Sequence, residues 1–286
     1  MLDPNSADIC FGMAVAAYSA STLSFFKYLI RNRRDKRPAA VATFCLGVGV
    51  VFHFFYLGVV SLSSHACPIE GAPVLISMMS MLDCTLYLIL RRFYRLDGIG
   101  AFLTLLCLVI FLASRLIHPE VLKGGWEEAA HTKSLLLPIH ATANLFGTAF
   151  LMLAFVVAIA YLIQEKGLKE KRFKMIFEKL PPLDFLDQAE GVFLYAAFPL
   201  LTLGMLTGIA DKRVVVFHLA NILRVVFGVI SWLLVGGFLS LRVIKGWRGR
   251  RIAYGTILGF GFIVIIFCFY LLRQESSPWV LKGGAA

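Results

Sequence analysis

Residues 247–260 read WRGRRIAYGTILGF. Three arginines, Arg248, Arg250 and Arg251, follow Trp247 within four positions, and charged groups at this density do not enter an apolar core without partners. An apolar run precedes this basic corner and another follows it. A basic corner between two apolar runs is typical of a membrane protein, in which the corner is a loop at the membrane surface.

The composition of the whole chain agrees with this interpretation. Of the 286 residues, 59% are hydrophobic and 16% are charged, whereas soluble domains have about 45–50% apolar and about 25% charged residues. Eight apolar runs reach about 20 residues, the length that a helix needs to cross a bilayer. They cover approximately residues 7–30, 39–63, 72–90, 98–117, 138–163, 189–210, 214–241 and 252–272. The sequence therefore predicts an all-α integral membrane bundle of eight transmembrane helices, a single domain over residues 1–286.

The basic residues are concentrated in loops. Four clusters hold 19 of the 28 Lys and Arg residues, and they follow the first, third, fifth and seventh predicted spans: 31–37, 91–95, 166–179 and 242–251. Cytoplasmic loops carry an excess of Lys and Arg, so these loops are predicted to be cytoplasmic and both termini outside. This placement also accounts for the net charge of +11, so the predicted partner is the lipid bilayer and not nucleic acid.

Two connections are longer than turns. The predicted cytoplasmic segment 164–188 contains KEKRFKMIFEKL, a basic amphipathic pattern. Such a pattern favours a helix that lies on the anionic inner leaflet or, alternatively, a docking site for a cytoplasmic partner. The predicted outer loop 118–137 carries His118 and His131, which we expect to be solvated. The role of Cys67, in another outer loop, is left open.

Three histidines fall in the outer half of predicted spans: His53 in the second, His140 in the fifth and His218 in the seventh. Neutral imidazole is a good axial ligand of haem iron, so three histidines at one depth predict a haem or metal site. Alternatively, an intramembrane histidine only donates a hydrogen bond to a neighbouring helix. We take His140 and His53 as the candidate axial ligands and His218 as the reserve.

Three more polar residues lie within predicted spans. Asp83 and Arg224 are both near mid-span, where an unpaired charge is costly. We expect Asp83 to be ion-paired, with Arg224 as a candidate partner, whereas Arg224 could instead meet an anionic ligand. Asn144 follows His140 by four residues on the same helix face, so it either orients that imidazole or bridges two helices.

The motifs that would indicate an enzyme are missing from the sequence. It contains no glycine-rich phosphate loop, no zinc-ligand spacing and no nucleophile elbow. A handling or assembly factor is therefore favoured over a catalyst.

The opening stretch, WRGRRIAYGTILGF, resembles the turn before the last helix of the cytochrome c assembly family, in its CcsA-like and HemX-like branch. HATANLFGTAFLMLAFVVAIAYLIQEKGLKEKR (140–172) resembles that family's helix opening with His and the basic loop that follows it. LPPLDFLDQAEGVFLYAAFPLLTLGMLTGI (180–209) and VISWLLVGGFLSLR (229–242) resemble its next two segments. The resemblance extends over most of the chain, and the eight spans with outside termini agree with it.

The resemblance implies a haem-handling membrane protein. In CcsA-type members a Trp-rich outer segment cradles haem and flanking histidines ligate it; by position, His140 matches the first outer histidine and His53 one in an early span. The implied cofactor is haem b, with Arg224 near a propionate. The stretch that corresponds to the Trp-rich segment, ADKRVVVFHLANILR (210–224), has no Trp. Ser240 stands where CcsA has a histidine, no histidine follows the last helix, and Arg224 replaces a lysine. These departures indicate the HemX-like branch.

Three functions are predicted, in order of preference. The first is a HemX/CcsA-like protein of a bacterial-type inner (plasma) membrane that handles haem b and assists cytochrome c assembly, with a second membrane subunit and apocytochrome c as partners. The second is a non-haem regulator or scaffold that acts through segment 164–188 on a tetrapyrrole-pathway enzyme. Glutamyl-tRNA reductase is the enzyme that HemX-like members are linked to. The third, an exporter of haem or another small molecule, is ranked last because few intramembrane polar residues are available to line a path.

Overall fold

The computed structural model describes residues 4–30, 36–64, 72–94, 96–116, 136–170, 179–210 and 219–272. These residues form eight helices and no strand. In chain order the helices are α1 (Pro4–Ile30), α2 (Arg37–Ser64), α3 (Ala72–Phe93), α4 (Gly100–Leu116), α5 (Leu136–Lys169), α6 (Leu183–Ala210), α7 (Leu219–Lys245) and α8 (Arg250–Leu272). The predicted all-α class is confirmed, and each helix corresponds to one predicted span.

The helices have the length and composition of membrane spans. Seven of the eight are long and apolar enough to cross a bilayer, and α4, with 17 residues, is at the lower end of the usual range of about 17–25. Large apolar side chains such as Leu23, Phe44 and Phe54 are exposed on the outside of the bundle. In a membrane bundle this outer surface contacts lipid tails, which are as apolar as the side chains.

The helices pack as two groups of four. In the first group α1 packs along α2 and against α4, and α3 contacts both α2 and α4. In the second group α5 packs along α6 and against α8, while α7 contacts α8 and α6. The main contact between the groups joins α3 to α5. Helix α5 is therefore central, and small residues on it, such as Gly147 against Leu201, allow α6 to approach closely.

The predicted cytoplasmic segment is partly helical. Helix α5 continues to Lys169 and α6 begins at Leu183, so both ends of the segment belong to helices. Residues 171–178, which hold most of the predicted amphipathic pattern, lie outside the described residues. The next residue is attached to the bundle, because the Lys179 ammonium lies 4.1 Å from the ring centroid of Tyr28 and also donates to the Tyr28 carbonyl.

The basic corner of the opening stretch is the turn between α7 and α8. Gly246 (φ 64°) and Gly249 (φ 66°) adopt the left-handed conformation that favours glycine. The carboxylate of Asp187, on α6, accepts hydrogen bonds from Arg242 at 2.9 and 3.1 Å and from the Gly249 N–H at 2.6 Å. We call these three residues the Asp187 clamp, and it fixes the turn to the start of α6.

Candidate functional site

His140 lies in the second turn of α5, half-buried against α6. The helix begins at Leu136 and tolerates Pro138 in its first turn, because the N–H groups there have no partner within the helix. The residues of α6 that meet His140 are Gly204 and Gly208. The TLGMLTG pattern of α6 therefore presents its two glycines, four residues apart, to one face of α5.

The hydrogen bond of His140 determines its tautomer. Nδ1 lies 2.7 Å from the carbonyl oxygen of Gly204. Because a carbonyl only accepts, Nδ1 carries the proton and Nε2 keeps its lone pair. Among the residues that the structure describes, the nearest hydrogen-bond partner of Nε2 is the side-chain nitrogen of Asn144 at 3.4 Å, a long contact. Metal-binding histidines commonly hold this tautomer by bonding the other ring nitrogen to a backbone carbonyl or a carboxylate.

Asn144 lies one turn further along the same face of α5. Its side-chain nitrogen donates to the carbonyl of His140 at 2.9 Å and lies 3.3 Å from Nδ1 of that ring. A Cβ atom at Gly204 would lie 2.4 Å from Asn144 Oδ1, so the amide occupies space that only glycine leaves open. The shared face that we expected from the spacing is observed, and the role of Asn144 in orienting the imidazole stays a prediction.

His53 lies in a different and fully buried cluster. Its Nδ1 is 3.1 Å from the Tyr18 hydroxyl on α1, and its Nε2 is 2.8 Å from the Ser77 hydroxyl on α3. The ring also packs on Phe111 of α4, with 3.9 Å between ring centroids. Both ring nitrogens therefore have partners, and iron could bind His53 only after one of these hydrogen bonds had broken.

The structure does not bring the two preferred histidines together. The contacts of His53 lie in the first helix group, whereas His140 contacts α6 in the second. His218 and the side chain of Arg224 lie outside the described residues, so their roles as reserve ligand and propionate contact stay predictions. The same holds for Cys67 and for most of the outer loop 118–137, of which only the last two residues are described, as the start of α5.

Asp83 is completely buried in α3. Neither of its carboxylate oxygens has a hydrogen-bond partner among the described residues. The hydroxyl of Ser80, one turn earlier, donates to the carbonyl of Cys107 instead. Because the Arg224 side chain is not described, the expected ion pair between Asp83 and Arg224 stays a prediction.

A buried polar cluster at the opposite end of α6 was not predicted from the sequence. Glu190 is fully buried and accepts a hydrogen bond from the Thr256 hydroxyl at 2.6 Å. Asp187 precedes it by three residues and holds the clamp. The signal was present in LDQAEG (186–191), which places two acids on one helix face at the end of the span nearest the basic corner.

A prediction about His53 follows from its hydrogen bonds. We expect His53→Ala to lower the free energy of unfolding by about 2–4 kcal/mol, because it leaves a cavity and removes the partner of both Tyr18 and Ser77. Unfolding in detergent micelles would measure this change. Thr142→Ala is the control, since within the described residues that hydroxyl bonds only its own helix backbone. A His53→Ala protein as stable as the control would contradict the prediction.

Comparison with known proteins identifies similar sequences. The family model described as "Cytochrome C assembly protein" matches residues 67–276. The chain is 26% identical to the cytochrome c biogenesis protein CcsA of Guillardia theta over 187 residues, 60% of this chain and 62% of that protein. It is 26% identical to the inner membrane protein YpjD of Escherichia coli K12 over 190 residues, 64% of this chain and 66% of that protein. The match thus spans less than two thirds of either relative. No solved structure matches significantly.

Proposed function

Because the chain belongs to the cytochrome c assembly protein family, we propose that it binds haem b through His140 and assists the assembly of cytochrome c. The observation that carries this proposal is the bond from His140 Nδ1 to the Gly204 carbonyl. It leaves the Nε2 lone pair for a metal, in a side chain that is only partly buried. Because this chain lacks the Trp-rich segment, we assign it to the HemX-like branch of the family.

The residues around His140 fit a haem iron. A porphyrin supplies four nitrogen ligands itself, so one or two protein ligands complete the iron. Within the described ranges, no group of three or more His, Cys, Asp or Glu side chains could hold a bare metal ion. A single oriented imidazole suits haem better than zinc, which takes at least three protein ligands. Bound haem would supply a redox-active iron.

The chain's own residues would hold and orient the group. The Gly204 carbonyl keeps the proton on His140 Nδ1, and the polar atoms of Asn144 lie beside the ring. His218, the reserve candidate, would serve as a second ligand before His53, because both ring nitrogens of His53 are already hydrogen-bonded. Arg224 would pair with a propionate, as an Arg can with any carboxylate.

The placement in the membrane is part of the same proposal. The four basic clusters favour cytoplasmic loops, so both termini and His140 would lie on the outer side of an inner (plasma) membrane. The segment 164–188 would then be cytoplasmic. The proposed partners are a second membrane subunit and apocytochrome c, since haem delivered outside needs an acceptor there.

The proposal predicts the spectrum of the purified protein. We expect protein purified from haem-replete cells to show a Soret band. His140→Ala should retain at most about one tenth of the haem that the wild type retains. Thr142→Ala, a half-buried position two residues away whose hydroxyl bonds the backbone of α5, should retain it fully. An undiminished Soret band in His140→Ala, or none in the wild type, would contradict haem binding at this site.

A second candidate function needs no haem. Helix α5 continues beyond the predicted end of its span, residue 163, to Lys169. In this additional helical stretch Glu165 and Lys169 form an ion pair at 2.6 Å. This stretch would give the basic segment 166–179 a rigid base for docking a tetrapyrrole-pathway enzyme. Charge reversal at Lys171, Arg172 and Lys174 would then abolish function, whereas His140→Ala would not. The opposite result supports haem handling.

A further inference from the structure

We infer that Gly208 is a positioning residue for His140: its missing side chain lets the imidazole reach the Gly204 carbonyl and so keeps Nε2 available to a ligand. The inference rests on the proposed function only for the identity of the ligand, haem. The state of the imidazole can be measured without any haem.

The space at Gly208 is filled by the His140 ring. A Cβ atom built there would lie 2.6 Å from Cε1 of His140 and 2.8 Å from Nδ1. Both distances are far below carbon–carbon or carbon–nitrogen contact, where optimal separations are about 3.5–4.0 Å. The obstructed atoms belong to the bonded edge of the ring. A side chain at position 208 therefore has to displace the ring, and displacement away from α6 lengthens its bond to the Gly204 carbonyl.

The register of the two helices distinguishes Gly208 from the other glycines. His140, Asn144 and Gly147 on α5 meet Gly208, Gly204 and Leu201 on α6 in antiparallel order. At Gly204 the added Cβ would collide with the Asn144 amide, and at Gly147 it would lie 2.9 Å from Leu201 Cγ and 3.0 Å from the Leu201 backbone nitrogen. The same close approach thus runs along both helices, but of these three glycines only Gly208 faces the imidazole.

The acceptor of the His140 bond belongs to the backbone of α6. The Gly204 carbonyl, 2.7 Å from His140 Nδ1, lies inside this helix, where a carbonyl already accepts the N–H of the residue four positions on. The Thr207 hydroxyl is closer to the Leu203 carbonyl, at 2.7 Å, than to the Gly204 carbonyl, at 3.0 Å. An oxygen that is already hydrogen-bonded within its helix offers a narrow range of positions to a second donor. Gly208 lies against the ring and limits its position. The tautomer of His140 therefore depends on a residue that makes no hydrogen bond with the ring.

A purely structural role for Gly208 makes a different prediction. Small residues at a membrane helix interface commonly serve only close packing, and Gly147 is an example in the same interface. If Gly208 had that role alone, Gly208→Ala and Gly147→Ala would alter stability alike and neither would alter the imidazole. The two variants therefore form a matched pair.

The test begins with haem-free protein labelled with 15N-histidine and purified in detergent. Nitrogen chemical shifts distinguish the two neutral tautomers of an imidazole, and His140→Ala assigns the signal. We expect the Nδ1–H tautomer for His140 in the wild type and in Gly147→Ala, and the Nε2–H tautomer or a mixture in Gly208→Ala. An Nε2–H tautomer in the wild type overturns the inference, even if Gly208→Ala fails to fold.

Titration with haemin follows on the same proteins. We expect Gly208→Ala to bind about tenfold more weakly than Gly147→Ala, the usual effect of losing a partner that orients a ligand. A tautomer change in Gly208→Ala without haemin binding by any variant supports the positioning role and refutes the proposed function. Haemin binding with equal affinity and an unchanged tautomer in Gly208→Ala refutes the positioning role alone.

Discussion

Asp187→Ala is expected to lower the free energy of unfolding by about 3–5 kcal/mol, the usual effect of removing one partner of a buried ion pair. The carboxylate accepts three hydrogen bonds, two from Arg242 and one from the Gly249 N–H. The Arg242 side chain is only 8% exposed, and of its hydrogen bonds within the described residues it would keep the one to the Asp187 backbone carbonyl. The buried carboxyl of Glu190, which also interacts electrostatically with Arg242, would compensate this charge only in part, at the junction of α6, α7 and α8.

The measurement is unfolding of the detergent-purified protein, arranged as a double-mutant cycle. The pair Asp187→Leu with Arg242→Met should be less destabilised than Asp187→Leu or Arg242→Met alone, because neither charge of the ion pair is then left without the other. The remaining loss in the pair would come from the Gly249 N–H, which has lost its acceptor. Glu165→Ala serves as control, since its ion pair with the exposed Lys169 should contribute about 0.3–0.5 kcal/mol. If Asp187→Ala lowers the free energy of unfolding by no more than this control does, the clamp does not stabilise the bundle.

The second large effect is expected at Gly249, the other end of the clamp. Its φ of 66° costs any other residue about 1–2 kcal/mol. In addition, a Cβ there would lie 2.5 Å from the Tyr161 hydroxyl oxygen, so the turn or Tyr161 must move. Movement of the turn would weaken the bond to Asp187. We expect Gly249→Ala to lower the free energy of unfolding by about 3 kcal/mol or more, which is in the range for substitutions that add both strain and overpacking.

Gly246→Ala is the matched control for this prediction. Gly246 has nearly the same φ, 64°, but no atom of the described residues lies within 4 Å of its added Cβ. Gly246→Ala should therefore lower the free energy of unfolding only by the backbone cost of about 1–2 kcal/mol. In a Tyr161→Phe background the excess loss of Gly249→Ala over Gly246→Ala should shrink, because the obstructing oxygen is gone. Equal losses at the two glycines in the wild-type background would refute the role of the Tyr161 contact.

The helices could be predicted because bilayer thickness sets the length of an apolar run. The ends of α5 and α6 were less predictable, since a helix continues into water wherever polar side chains support it. The Glu165–Lys169 pair does this for α5, and its i, i+4 spacing was visible in the sequence. The end of an apolar run therefore does not give the end of the helix.

The histidines show where prediction from one sequence stops. His53 and His140 were placed in the outer half of their spans, and hydropathy gives depth but no information about neighbours. The structure surrounds the first with Tyr18, Ser77 and Phe111 and places the second beside two glycines. Which imidazole keeps a lone pair depends on these neighbours, which come from other helices.

The amino-acid sequence by itself determined the membrane class, the number and order of the helices, and the family to which the chain is similar. These properties are local, because they depend on the length of apolar runs and on the residues between them. Only the tertiary structure decided that Asp187 holds the basic corner and that His140 is bonded through Nδ1. Those hydrogen bonds join residues 62 and 64 positions apart at 2.6 and 2.7 Å, and distances of that kind are set by how the helices pack.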